Sequence, residues 1–509
     1  MEIAAHISTG SDLGDMGHSR NHFNKILTTM NVWIDLQTGR FFTRPLPSTS
    51  FPPHFYITAD KSTPQRISNQ AVMICPMVNG KRVAIPVNSS VVYSTDDDGN
   101  PGSVSGGCAD QLAKQIIKKT SWQGTCCDGQ YQAQEFRETL HNELNVPDLS
   151  HWINLAILDI RDEKCGSSSL YLKCIVTRAK NIHTMFQRGK MLSSAIALSK
   201  QNDLELRMTK GSCITRFWSS QFQEFEIIIQ SFAAYVQAFR AFGYSEVREY
   251  KILGEDFVID LCCVTDVMRI VIDLMVKLQS LSCPCWKICI WFPSVKKFLE
   301  QLEHVSIASP PGSMKVLKAN IKDIMEEQKF KDQCLVTRWL LESHNETHDE
   351  RKARELEDCE ADLHQFIVDV IQSLESRYIN CVPDMCKYFT AIDLECLFCL
   401  LVGTRQNGKP SISEAKLEEF GAEYFKKIME YVCSQEHVAA AIKEGSLDID
   451  SRLSHVIHQR LKQTLKNILW NMKETMVNWF YVVKKEKKCF VAVRNALSQC
   501  LMVTKGNML

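Results

Sequence analysis

The chain has 509 residues, 45% of them hydrophobic and 23% charged, with 59 basic against 59 acidic side chains. At roughly 150 residues per domain this allows about three domains, and the composition excludes a globally disordered or fibrous protein. With formal net charge zero, no whole-molecule field draws the chain to nucleic acid or to an anionic membrane, so such binding would have to come from local patches.

The first 50 residues read as an irregular extension without the basic and apolar segments of a secretory signal. The 21 cysteines are an odd number and too sparse for a disulfide scaffold, so a reducing intracellular compartment is expected. Residues 54–59 (HFYITA) are predicted to form a strand ending at Asp60. Residues 71–78 and 81–93 follow as a hairpin about Asn79-Gly80, a strong short turn signal. The loop Asp96–Gly102 lacks the glycine register of an EF-hand and is read as a plain connection.

A helix over 106–119, a strand over 122–127 reaching Asp128, a helix over 130–144 and a strand over 151–160 (HWINLAILDI) complete this part. The order of strand, strand, strand, helix, strand, helix, strand is that of the RNase H-like fold. There the first and fourth strands are neighbours, which would bring Asp60 and Asp128 together. Paired carboxylates suit two divalent ions about 3.5–4 Å apart that clamp the attacking and leaving oxygens of a phosphoryl displacement. Such hard oxygen ligands favour magnesium or manganese. By itself, an aspartate at a strand end is more often a turn former or a helix cap.

From about residue 166 the apolar residues recur at helical spacing. Phe222, Phe225, Ile229, Phe232, Val236 and Phe239 form one stripe, and Phe257, Leu261, Val264, Met268, Val271, Met275 and Leu278 form a second. Leu461 to Val483 repeats the pattern. Such stripes are core faces, or a surface for partner proteins or self-association. Ser309-Pro-Pro-Gly-Ser313 breaks the helices as a linker. Between Glu342 and Asp362 nine acids face three bases, which predicts a solvated helix face. Cys283-Pro-Cys285 and Cys396-Leu-Phe-Cys399 are half-sites for zinc in form, but lie in apolar runs where buried thiols are expected.

Four stretches in order, Thr58-Ala-Asp60-Lys-Ser-Thr, Cys127-Asp128-Gly-Gln-Tyr-Gln-Ala, Ser150-His151-Trp-Ile-Asn-Leu-Ala156 and Thr215-Arg216-Phe-Trp218-Ser-Ser, make the segment from Tyr56 to about Trp291 resemble the hAT superfamily of DNA transposases, in particular its domesticated members. The resemblance implies an α/β RNase H-like mixed sheet interrupted by a large all-α insertion, with a mostly helical C-terminal half. The implied divisions are 1–50, 51–165, 166–308 and 309–509. It implies Asp60 and Asp128 as metal-binding carboxylates of an ancestral catalytic site. His151 matches the histidine of the family's Cys-x-x-His-x-x-Asn-Leu element. Position 148 is aspartate where that element has cysteine, so His151 is assigned a structural role, ordering its strand. Arg216 would hold a phosphate and Trp218 stack on an unpaired base; the alternative is a Trp218 packed with Phe217 and Phe222. Arg178, Lys180, Arg188 and Lys190 would line a DNA groove.

Three parts of an active hAT transposase are missing from the sequence. The first fifty residues contain no cysteine and so no zinc finger of the BED type. No Ser-Glu-Arg-x-Phe-Ser-like stretch supplies the third catalytic acid, for which Glu474 is the best positional substitute, and the dimerisation motif is not recognisable. The expectation is a transposon-derived nucleic-acid or protein interaction factor without efficient catalysis. A residual metal-dependent nuclease and a helical protein-interaction scaffold are the alternatives. The lysines Lys484, Lys485, Lys487 and Lys488 fit a nuclear import signal, making the expected compartment nuclear, with cytoplasmic as the alternative. Lys114, Lys118 and Lys119 form a further basic group, and no segment is long and apolar enough to span a membrane.

Overall fold

A computed structural model describes residues 20–44, 55–62, 68–78, 81–95, 101–103, 122–127, 145–208, 217–243, 252–280, 283–336, 354–393, 405–406, 409–410, 422–434 and 443. By its internal contacts the chain divides into two units, Met1–Asn145 and Val146–Leu509. The division falls ahead of the expected boundary at 165.

The first unit opens with helix α1 (Arg20–Thr43). Its strands are β1 (Phe55–Ser62), β2 (Ser68–Val78), β3 (Lys81–Arg82), β4 (Ile85–Thr95), β5 (Pro101–Ser103) and β6 (Trp122–Cys127), with β7 (Asn145–Pro147) at the division. They form one mixed sheet in the order β5-β4-β2-β1-β6-β7, with β3 paired to β2 beside this path. The run β1-β2-β4 is antiparallel throughout, whereas β6 is parallel to β1. Alternation sets the two faces, since successive side chains in a strand point to opposite sides. Phe55, Ile57 and Ala59 of β1, Val72 and Ile74 of β2, and Thr125 and Cys127 of β6 are buried. Asp60 does not end its strand as the sequence suggests. Lys61 and Ser62 continue the ladder against Gln70 and Asn69, which also starts β2 three residues earlier than expected. The expected helices at 106–119 and 130–144 lie outside the described residues.

The second unit begins with α2 (Leu149–Arg161). This corrects the strand expected at 151–160. The segment is rich in β-branched residues, but Asp148 caps it: its carboxylate accepts from Ser150 N at 2.9 Å and from His151 N at 3.2 Å. Trp152, Ile153, Ala156, Ile157 and Ile160 then bury one helical face.

Helices α3 (Ser169–Phe186), α4 (Lys190–Gln201), α5 (Phe217–Ala241), α6 (Glu255–Leu278), α7 (Ile288–Glu300) and α8 (Lys315–Glu327) follow. A short hairpin, β8 (Lys329–Phe330) and β9 (Gln333–Cys334), precedes α9 (Leu356–Cys381), α10 (Asp384–Phe389) and α11 (Ala422–Ser434). The α6 helix is the centre of this unit, buried on all sides from Asp256 to Met268 and packed against α2, α5, α7, α8 and α9. The predicted α5 stripe is wholly buried, and so is that of α6 apart from Leu278. The third expected stripe, Leu461 to Val483, lies outside the described residues. No described helix is long and apolar enough to cross a membrane.

Buried acids tie distant segments of this unit together. Asp369 of α9 accepts hydrogen bonds from Ser167 N and Ser168 N, both at 2.8 Å, and from Ser168 Oγ at 2.5 Å, so it caps α3 from another helix. Asp266 of α6 accepts from Val316 N and Leu317 N at 2.9 Å and caps α8. Arg354, whose side chain is 9% exposed, pairs with Asp260 and, at 2.5 Å, with Asp362. The solvated face expected for Glu342–Asp362 is therefore corrected at its C-terminal end, where Arg354 turns into the core because Asp260 of α6 needs a counter-charge. Residues 337–353 lie outside the described set.

Candidate functional site

Asp60 is exposed, on the face of β1 opposite to Ile57 and Ala59. Beside it the backbone of β1 is tied to β6: Ala59 N donates to Cys127 Sγ at 3.2 Å. Ala59 and Cys127 are 68 residues apart. The same sequence interval separates Asp60 from Asp128. Asp128 itself lies outside the described residues, as do Arg216 and Glu474. Trp218 belongs to the first turn of α5, with its side chain outside the described set.

His151 stands in the first turn of α2, half-buried, where a strand was expected, and its backbone N–H donates to Asp148. The aspartate found where the hAT element has cysteine is the residue that caps this helix, which gives position 148 a local structural purpose. The four basic residues expected along a DNA groove separate into two groups. Arg178 turns inward: its guanidinium is 3.4 Å from Asp256 Oδ1 and lies 4.4 Å above the Phe257 ring. Lys180, Arg188 and Lys190 are exposed around the corner between α3 and α4, and none has an ion pair among the described residues. Lys114, Lys118, Lys119 and the lysines at 484–488 lie outside the described residues.

Among the described residues no group of three or more His, Cys, Asp or Glu side chains is placed to hold a metal ion. Cys283 and Cys285 are half-buried, and Cys396 and Cys399 lie outside the described set. The thiols of Cys262 and Cys263 on α6 are buried, which pushes both well above the usual thiol range and leaves them protonated.

No family model matches the chain, and no curated protein matches it.

The sequence pattern singles out neither Asp369 nor Glu224, although both acids are buried in the helical unit. Glu224 sits in the polar-rich start of α5, Ser219-Ser-Gln-Phe-Gln-Glu-Phe-Glu226, where nothing sets it apart from Glu226. Asp369 offers no signal, because the serines that it caps lie about 200 residues away in sequence.

Proposed function

We propose that this chain is a nucleic-acid-binding factor derived from a DNA transposase of the hAT type, with an RNase H-like domain and without efficient catalysis. The observation that carries the reading is the sheet order β5-β4-β2-β1-β6-β7, in which an antiparallel β1-β2-β4 run meets a parallel β6 beside β1. That neighbouring of the first and fourth long strands, with the 68-residue interval shared by the Ala59–Cys127 bond and the Asp60, Asp128 pair, supports an ancestral two-carboxylate site. Magnesium or manganese, where bound, would be held by the hard oxygens of Asp60 and Asp128 and would supply charge neutralisation at a phosphoryl group. The absence of a recognisable third acid in the sequence supports loss of rate at such a site. The exposed Lys180, Arg188 and Lys190 supply a local basic corner on a chain of zero net charge.

The test is fluorescence anisotropy of the full chain with labelled duplex and hairpin DNA over a salt series. Binding that weakens with salt, without strand cleavage in magnesium or manganese, is expected. Replacing Lys180, Arg188 and Lys190 by glutamate weakens it and lowers the salt slope by about 0.9 for each phosphate that is no longer neutralised. Binding unchanged by that triple substitution removes the basic corner from the reading, and no DNA binding at all refutes it. A residual metal-dependent nuclease is the second reading, favoured by the exposed carboxylate of Asp60. Nicking that disappears in Asp60→Asn selects it.

A further inference from the structure

On one side of α5, Gln223, Glu224, Ile227 and Gln230 line a cavity of about 450 Å³ whose other wall holds Arg207 and Met208, from the segment after α4. That volume is in the range of small-molecule sites. The wall is fixed without a ligand. Arg207 N donates to Ser231 Oγ at 2.8 Å, and the Tyr235 hydroxyl donates to Arg207 O at 2.8 Å. Tyr235 is itself stacked on Phe186 with ring centroids 4.4 Å apart.

The lining carries donors on Arg207, Ser220, Gln223 and Gln230, yet the buried carboxylate of Glu224 takes little from them. Glu224 is 3% exposed, and among the described residues its carboxylate accepts one hydrogen bond, from Gln221 Nε2 at 2.9 Å. His183 Nδ1 stands 3.9 Å from the other oxygen, beyond hydrogen-bond reach. Burial pushes the Glu224 carboxyl up and the His183 imidazole down, so at neutral pH the imidazole brings no counter-charge. The other charges of the lining already have partners: Glu226 with Arg269 at 3.1 Å, and Arg207 with Glu205 at 2.8 Å. Buried acceptors left without donors are costly, and the cost is relieved by a ligand that brings them. Ile227 and Met208 offer apolar surface beside these groups.

We propose that this cavity binds a small organic cation, a primary ammonium or guanidinium on a short apolar body, with its charge against Glu224. The proposal is independent of nucleic-acid binding.

It is tested on the full chain by calorimetric titration at pH 7.5 with benzylamine, which is protonated there, and benzyl alcohol, its neutral analogue of the same shape. Benzylamine is expected to bind at least about tenfold tighter. Glu224→Gln keeps the shape and abolishes that preference. Ile227→Trp, at a half-exposed position, fills the cavity and removes binding of both probes. Equal affinity for the two probes, a preference that survives in Glu224→Gln, or no saturable binding of benzylamine to the native chain overturns the proposal.

Discussion

The junction of Gly166 with Asp369 gives the sharpest quantitative test of the helical unit. Asp369 is 0% exposed, and its Oδ2 takes all three hydrogen bonds from Ser167 and Ser168, while Oδ1 accepts from Gln365 Nε2 at 2.8 Å. Ser168 does not cap α3 with its own side chain, so the carboxylate is the cap. Asp369→Ala strands the amide and hydroxyl of buried Ser168 and also releases the amide of the more exposed Ser167. At about 1–3 kcal/mol for each stranded donor, less the relief of no longer burying a carboxylate, the loss is about 3 kcal/mol. Gly166 has φ +73°, and a Cβ there would overlap the Asp369 carboxyl. Gly166→Ala therefore combines left-handed strain of about 1 kcal/mol with the displacement of that same carboxyl, for roughly 4 kcal/mol together.

The two costs share one cause. Once Asp369 is alanine, the added methyl group meets no carboxyl and costs only the strain. The double variant should lose about 4 kcal/mol instead of about 7, a coupling of roughly 3 kcal/mol. Urea unfolding of the full chain, followed by helical circular dichroism, measures all four corners of the cycle. Additivity within about 0.5 kcal/mol refutes the shared cause, and an Asp369→Ala cost below about 1 kcal/mol refutes the cap.

Three further outcomes follow from the buried polar groups. Arg354→Ala removes the buried ion-pair partner of Asp260 on α6 and should destabilise by about 3–5 kcal/mol in the same urea assay, whereas Arg354→Met combined with Asp260→Leu should recover most of that loss. Burial holds Glu224 above its ordinary 4.5, so the native state keeps this proton longer than the unfolded chain does. Its contribution is then full below 4.5 and is lost as pH rises through the raised native value. Glu224→Gln should accordingly be more stable than the native chain at neutral pH, with the advantage vanishing in acid, as read from urea midpoints across pH. Ser373 Oγ donates to Ala156 O at 2.5 Å in the contact between α9 and α2, so Ser373→Ala should cost about 1 kcal/mol by thermal unfolding.

Elements whose signals are local were readable from the sequence. The α5 and α6 stripes repeat every three or four residues, and the described members of both are buried apart from Leu278. The Asn79-Gly80 turn does separate paired strands, with Val78 opposite Lys81. The segment 151–160 misleads because Ile153, Ile157 and Ile160 suit a strand as well as a helix. The deciding residue is Asp148, whose side chain satisfies the first free N–H groups of the helix. Arg354 and Asp260 are 94 residues apart, and Arg354 looks like one more surface charge until the chain folds. The pairing of Asp60 with Asp128 rests on residue types and sequence order alone, whereas the cavity at Glu224 was not legible, because no local pattern distinguishes a carboxylate at the edge of an apolar stripe from a solvated one.

The long-range caps also bear on where this protein can be cut. The Pro-Pro-Gly stretch at 310–312 looks like a natural seam, yet Asp266, before it, holds the start of α8 after it, and Asp369, far beyond it, holds the start of α3. A fragment ending at that seam would lack Arg354, Asp369 and Ser373 together, and with them the ion-pair partner of Asp260 and the acceptor of the Ser167 and Ser168 amides. Recombinant pieces of the helical unit should therefore keep 146 through 393 in one polypeptide, and shorter versions are expected in inclusion bodies.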